Sequence, residues 1–246
     1  MSIQIDINFD FRSDTPKGKD PDAVSPTLRR YHKQLWSKPL PCGTLFDLDD
    51  TRPRAYLRHN SEVGKFFLAS DTANTSWKNY RKLSSVRNQL ATDDFKRFGA
   101  KVYSMGNMVV FPGNQIERKW TINQARGCHR RIKDRFDLTL ECIRLHYIGK
   151  PNPLAHVLNR YADFFDLFRD FQGYVDFFLL HDLVTDDCAA VTFFLPFDSF
   201  DRNSPHPKTV DEFRTYLQEA TRFIDARNRR IREYARGATS SRKADR

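Results

Sequence analysis

The chain has 246 residues, 39% hydrophobic and 13% aromatic with 21 phenylalanines, enough to fill one large core. It has no apolar run long enough to span a membrane, and its start lacks the basic and apolar blocks of a signal peptide, so a helical membrane protein is excluded and a cytoplasmic protein is expected. The 41 basic against 31 acidic residues leave a formal charge of +10, which suits a polyanionic partner, while four cysteines (Cys42, Cys128, Cys142 and Cys188) without CxxC spacing suggest neither a zinc ribbon nor a disulfide framework.

In chain order, Ile3, Ile5, Ile7, Phe9 and Phe11 alternate with polar residues, which predicts a half-buried strand. A mixed-charge loop from Arg12 to Val24 follows. Ser25-Pro26-Thr27 then opens a helix with Leu28, Tyr31, Leu35 and Trp36 on one face, ended by Pro39 and Pro41.

The run from Thr44 to Thr51 contains Asp47-x-Asp49-x-Thr51, which is similar to the first motif of the haloacid-dehalogenase-like phosphohydrolases. That resemblance implies Asp47 as nucleophile and Asp49 as acid and base beside a magnesium ion. The other reading is an acidic turn closing a strand. Outside the phosphohydrolase alternative no cofactor is implied.

Lys65 to Ala69 predicts a strand, Ser70 to Ser76 a polar loop, and Thr92-Asp-Asp-Phe the start of a short helix stopped by Gly99. Lys101 to Met105 and Met108 to Phe111 flank Gly106-Asn107, the composition of a two-residue hairpin turn.

Between Arg118 and Arg135 stand seven basic residues, Arg118, Lys119, Arg126, Arg130, Arg131, Lys133 and Arg135, against Asp134 alone. Trp120 and His129 are available to stack on bases, and Asn123 and Arg126 are placed in a loop between a strand and a helix, where the Arg126 fork could meet an anion. Alternatively Arg126 pairs with Asp137 or Glu141 and fixes the loop. Asp134 is the expected N-cap of a buried helix carrying Phe136, Leu140, Ile143 and Tyr147, with Asp137, Glu141 and Arg144 as a solvated or structural polar stripe.

Asn152 and Pro153 start a second helix that reaches Phe168, Gly173 breaks it, and Tyr174 to Leu183 continues as an apolar helix. Ala189 to Leu195 reads as a buried strand. Thr209 caps a long helix carrying Phe213, Tyr216, Leu217, Ala220, Phe223, Ile224, Ile231 and Tyr234. Nine basic and three acidic residues lie from Arg222 to the end, and residues 237–246 are expected to form a disordered basic tail.

The elements predict a single α+β domain over residues 1–236, strand-rich in its N-terminal half and helical in its C-terminal half. The segments LWSKPLP (Leu35 to Pro41), VFPGN (Val110 to Asn114), TINQARG (Thr121 to Gly127), DRFDLTLECIRLHY (Asp134 to Tyr147) and GYVDFFLL (Gly173 to Leu180) together resemble a bacterial family known only as a domain of unknown function. The resemblance implies a bacterial cytosolic protein and supplies no activity. Nucleic-acid binding, RNA favoured, through Arg118, Lys119, Trp120, Asn123, Arg126, His129, Arg130, Arg131 and Lys133 is the leading expectation, with a toxin-like or phage-defence role compatible with it. The alternatives are the phosphohydrolase and a protein-interaction module, and the oligomeric state is open.

Overall fold

Three segments between Tyr56 and Pro112 build a three-stranded antiparallel sheet. The computed structural model describes residues 4–50 and 56–244. Strands β3 (Tyr56–Ser61) and β4 (Gly64–Thr72) form a hairpin, and β5 (Met108–Pro112), buried at every position, pairs with the other edge of β4 from Leu68↔Pro112 to Thr72↔Met108. A separate ribbon joins the two-residue strands β1 (Lys38–Pro39) and β2 (Leu45–Phe46).

Around the sheet lie α1 (Pro21–Val24), α2 (Pro26–Trp36), α3 (Ser84–Arg87) and α4 (Thr92–Gly99), then α5 (Ile122–Cys128), α6 (Phe136–Tyr147), α7 (Ala155–Arg160), α8 (Ala162–Asp166) and α9 (Phe171–Phe178). The chain closes with α10 (Val210–Ala244), which begins where the Thr209 hydroxyl accepts the Glu212 N–H. Buried Phe213, Tyr216, Leu217, Ala220, Phe223, Ile224, Ile231 and Ala235 recur every three or four residues, so one stripe of α10 faces the core along much of its length.

The same stripe carries Arg227, which is fully buried. Its guanidinium donates to the carbonyls of Met108 (2.7 Å), Phe178 (3.0 Å) and Gly106 (3.2 Å), tying α10 to the start of β5 and the end of α9. Desolvation lowers its pKa to about 10, and three carbonyl acceptors replace the missing counter-ion. The α+β organisation and the single core agree with the sequence: one cluster of buried side chains runs from Phe11 to Ile231.

Several local expectations are corrected. Residues Ile5 to Phe11 are not a strand, and Ile3 lies outside the described residues: the Asp6 carboxylate takes the Asn8 N–H (2.9 Å), its backbone carbonyl takes that of Phe9 (3.2 Å), and the Asp10 carboxylate takes that of Arg12, so acidic side chains meant for the outer face help turn the backbone instead. Gly106-Asn107 is not a hairpin turn. Asn107 is buried and donates to Val102 O and Asn74 O, and a Cβ at Gly106 would stand 2.3 Å from Ile224 O, so the pair is the place where α10 touches the sheet.

Residues 189–195 contribute only a bridge between Val184 and Val191, because Phe194 N–H is taken by the Asp137 carboxylate. The helix placed from Asn152 to Phe168 is interrupted at Tyr161, whose hydroxyl donates to Asn114 O, giving α7 and α8. Gly173 does not break a helix. It sits inside α9, donating to its N-cap Asp170, where a Cβ would lie 2.1 Å from Phe168 O. α10 continues through Ala244, into the stretch assigned to a tail.

Candidate functional site

The basic segment from Arg118 to Arg135 is split by its local structure into an exposed band and a buried core. Thr121 and Gln124 form a capping box that starts α5, so the expected loop around Asn123 and Arg126 is helical. Asp134 is not the N-cap of α6. That position belongs to Arg135, and Asp134, with φ of 61°, turns its carboxylate toward Arg126 (3.4 Å).

Arg126 is fully buried and faces inward. It donates from Nη1 to Asp71 Oδ2 (2.8 Å) and Thr72 O (3.1 Å), from Nη2 to Ala73 O, and from Nε to Thr139 Oγ1 (3.3 Å). It therefore joins α5, α6 and the end of β4, and it cannot present its fork to an anion at the surface. Nor does it pair with Asp137 or Glu141: Arg135 holds Asp137, and Arg144 holds Glu141 at 2.7 and 2.8 Å. Both acids of the polar stripe on α6 are thus ion-paired. Asn123 is half-buried, and its Oδ1 has no hydrogen-bond partner among the described residues.

The exposed residues lie at the two ends of α5. Before it, Glu117 and Arg118 both take positive φ (53° and 57°), Lys119 reaches Glu117 (2.6 Å), and Trp120 is 56% exposed with its carbonyl held by Arg160 (2.6 Å). After it, His129, Arg130, Arg131 and Lys133 turn around the helix end: Arg130 is exposed, Arg131 pairs with Asp201, and Lys133 donates to Cys128 O (3.0 Å). Burial lowers the His129 pKa, and Arg131, Arg130 and Lys133 lower it further. His206, stacked on Tyr80 (centroids 4.7 Å apart), falls to about 4 through burial and then through Lys133, Arg135 and Lys82, a second sign of a positive field at this end. Seven helical residues, about 10 Å of axis, separate the two clusters.

On the last helix much of the positive charge is engaged. Arg222 pairs with Glu219 (2.7 Å) and Arg230 with Asp182 (3.1 Å), and Arg227 is buried, while Arg229 is exposed.

Asp47 and Asp49 lie just after the two-residue antiparallel strand β2, with both side chains exposed. The long buried parallel strand that carries this motif in the phosphohydrolases is not there. Thr51 lies outside the described residues, and among the described residues no three His, Cys, Asp or Glu side chains converge as metal ligands. Asp49 instead bridges Arg58 through its backbone, and the Asp47 carbonyl meets His59 Nδ1 (2.8 Å).

A cavity of about 380 Å³ was missed by sequence reasoning. It lies between α1, α2 and the β3–β4 hairpin and is lined by Asp22, Ser25, Arg29, His32 and Ser70 with an apolar wall that includes Leu57 and Leu68. Trp36 Nε1–H donates to His32 Nδ1 (3.0 Å), and because an indole nitrogen only donates, the neutral ring carries its proton on Nε2 and gives it to Ser70 Oγ (2.9 Å). Burial, then Arg227, lowers the His32 pKa to about 3. His32 therefore does not activate Ser70 as a nucleophile; the serine oxygen accepts. Asp22 and its nearest strand partner, Thr72, stand 50 residues apart, and the acid lies in a stretch that reads as a loop, so no short spacing announces the site.

One family model, described as a family of unknown function (DUF6994), matches residues 5–231. The chain belongs to the DUF6994 family. No curated protein and no solved structure matches it. Both the basic segment and the Asp22 cavity fall within the DUF6994 match, and no helix among its described residues is long and apolar enough to cross a membrane.

Proposed function

We propose that this DUF6994 protein binds single-stranded nucleic acid, RNA by preference, along the exposed band at the two ends of α5. The observation that carries the reading is Trp120. It is a large aromatic side chain left 56% exposed, with Arg118 and Lys119 immediately before it and Arg160 at its carbonyl. A solvent-facing ring costs apolar exposure, and flanking cations give it the composition of a base-stacking platform on a phosphate track. Arg130, Arg131 and Lys133 extend the track, while Arg126 supports it from beneath and touches no ligand.

A single strand is favoured over a duplex because splayed, unstacked bases suit an isolated aromatic platform better than a closed duplex does. Fluorescence anisotropy with a labelled single-stranded RNA across salt concentrations tests the proposal. With Arg118, Lys119, Arg130 and Arg131 on phosphates, log K should fall against log salt with a slope of about −3. Absent binding at low salt, or affinity flat across the series, refutes it.

A further inference from the structure

The cavity beside β4 holds an acid with an unused oxygen. Asp22 Oδ2 accepts the Thr72 N–H at 3.1 Å, whereas Oδ1 is buried and has no hydrogen-bond partner among the described residues. Both atoms belong to a side chain that lines the cavity. An unpartnered buried carboxyl oxygen is costly, and its natural complement is a donor brought by a ligand.

The surroundings specify the donor. Asp20 on the same element and Asp71 on β4 both raise the Asp22 pKa, after burial itself, and Arg126, which faces Asp22 from α5, offsets this only in part. Asp22 in turn raises the Tyr103 phenol. Of the other groups on the cavity wall, His32 is neutral and Arg29 donates from Nε to Asp50 O. Burial and its acidic neighbours thus hold the Asp22 carboxyl toward its neutral form, and a positive group beside Oδ1 would return it to the anion. Hard metal ions need six or more oxygen ligands, but beyond Asp22 and two serine hydroxyls the wall is largely apolar, with Val24 42% exposed at its side.

We propose that this cavity binds an organic cation, an amidinium or primary ammonium group on a small apolar body, with Asp22 as its anion. The charged head donates to Asp22 Oδ1, and Leu57 and Leu68 cover the apolar body. The volume lies within the range of about 300–1,000 Å³ typical of small-molecule sites. This site is independent of nucleic-acid binding by the band at α5.

Benzamidine and its uncharged isostere benzamide test it by calorimetric titration of the full chain and of Asp22→Asn, which keeps an oxygen for Thr72. The wild type should bind benzamidine about tenfold or more tighter than benzamide, and Asp22→Asn should remove that preference with its Tm close to that of wild type. No benzamidine binding up to millimolar concentration, equal affinity for the two compounds, or an undiminished preference in Asp22→Asn overturns the proposal. Should Asp22→Asn fail to fold, Ala23→Trp crowds the cavity from an exposed position and must weaken benzamidine binding; unchanged affinity there also overturns it.

Discussion

Replacing Arg126 with lysine separates a structural from a ligand-binding role for the most buried cation of the basic segment. Lysine keeps one positive charge for Asp71, but its single ammonium cannot also serve Thr139 Oγ1, Ala73 O and Thr72 O, all of which Arg126 now satisfies. Each lost hydrogen bond costs about 0.5–1.5 kcal/mol, more where an acceptor stays buried without a partner, so Arg126→Lys should lose about 2–4 kcal/mol. For a chain of this size that corresponds to a fall of about 5–15 °C in Tm. Arg126→Met, which strands the Asp71 carboxylate, should cost about 3–5 kcal/mol, and adding Asp71→Asn should recover part of it. Urea denaturation and thermal melting at neutral pH measure both. A Tm for Arg126→Lys within about 2 °C of wild type, together with lost nucleic-acid affinity, would refute this account and return Arg126 to the binding site.

Three further outcomes follow from the geometry. Burial pushes the Asp71 carboxyl up to about 6 from 3.8, so the folded state holds this proton more tightly than the unfolded chain; the stability of wild type relative to Asp71→Asn should fall as pH rises from about 4 to about 6 and level off above, and a difference that rises across that window contradicts the assignment. Gly106→Ala drives a methyl group to 2.3 Å from Ile224 O and against Asn228, which should cost about 1–3 kcal/mol as a lower urea midpoint with an unchanged slope, while no change would mean that α10 can shift away from the sheet. Arg118→Gln and Arg130→Gln, both exposed, should leave Tm nearly unchanged, yet each should flatten the salt dependence of RNA binding by about 0.7 in slope; an unaltered slope removes that residue from the interface.

What the sequence revealed depended on whether periodicity alone decided the structure. The helices at Leu28 to Trp36, Phe136 to Tyr147 and Phe213 to Ile231 were legible because their apolar residues recur at helical spacing and tertiary packing agreed with that pattern. The N-terminal alternation from Ile5 to Phe11 was equally clean, but Asp6 and Asp10 had closer backbone partners than any strand offered. Gly106-Asn107 has hairpin chemistry and a different use, because its meaning rests on Asn228 and Ile224 more than a hundred residues later.

The candidate site was legible in composition and not in depth. Counting charges located Arg118 to Arg135, yet nothing local distinguishes Arg126 and Arg135, which are buried, from Arg118 and Arg130, which are exposed. Their partners Asp71 and Asp137 decide it, and Asp71 reaches Arg126 from a strand 55 residues away. The Asp22 cavity was illegible for the same reason: its acid, its amide partner and its histidine come from three separate elements.

Tryptophan emission offers the most direct test of the proposed interface, since Trp36 is fully buried and Trp77 7% exposed, leaving Trp120 as the ring that a bound base can reach. Titrating single-stranded RNA at low salt should quench this emission to saturation, the quenching should recede as salt rises, and Trp120→Ala should abolish it while weakening binding by about 1–3 kcal/mol. Emission that stays constant at RNA concentrations where anisotropy reports a saturated complex would place the interface elsewhere, and no complex at all would contradict the proposal outright.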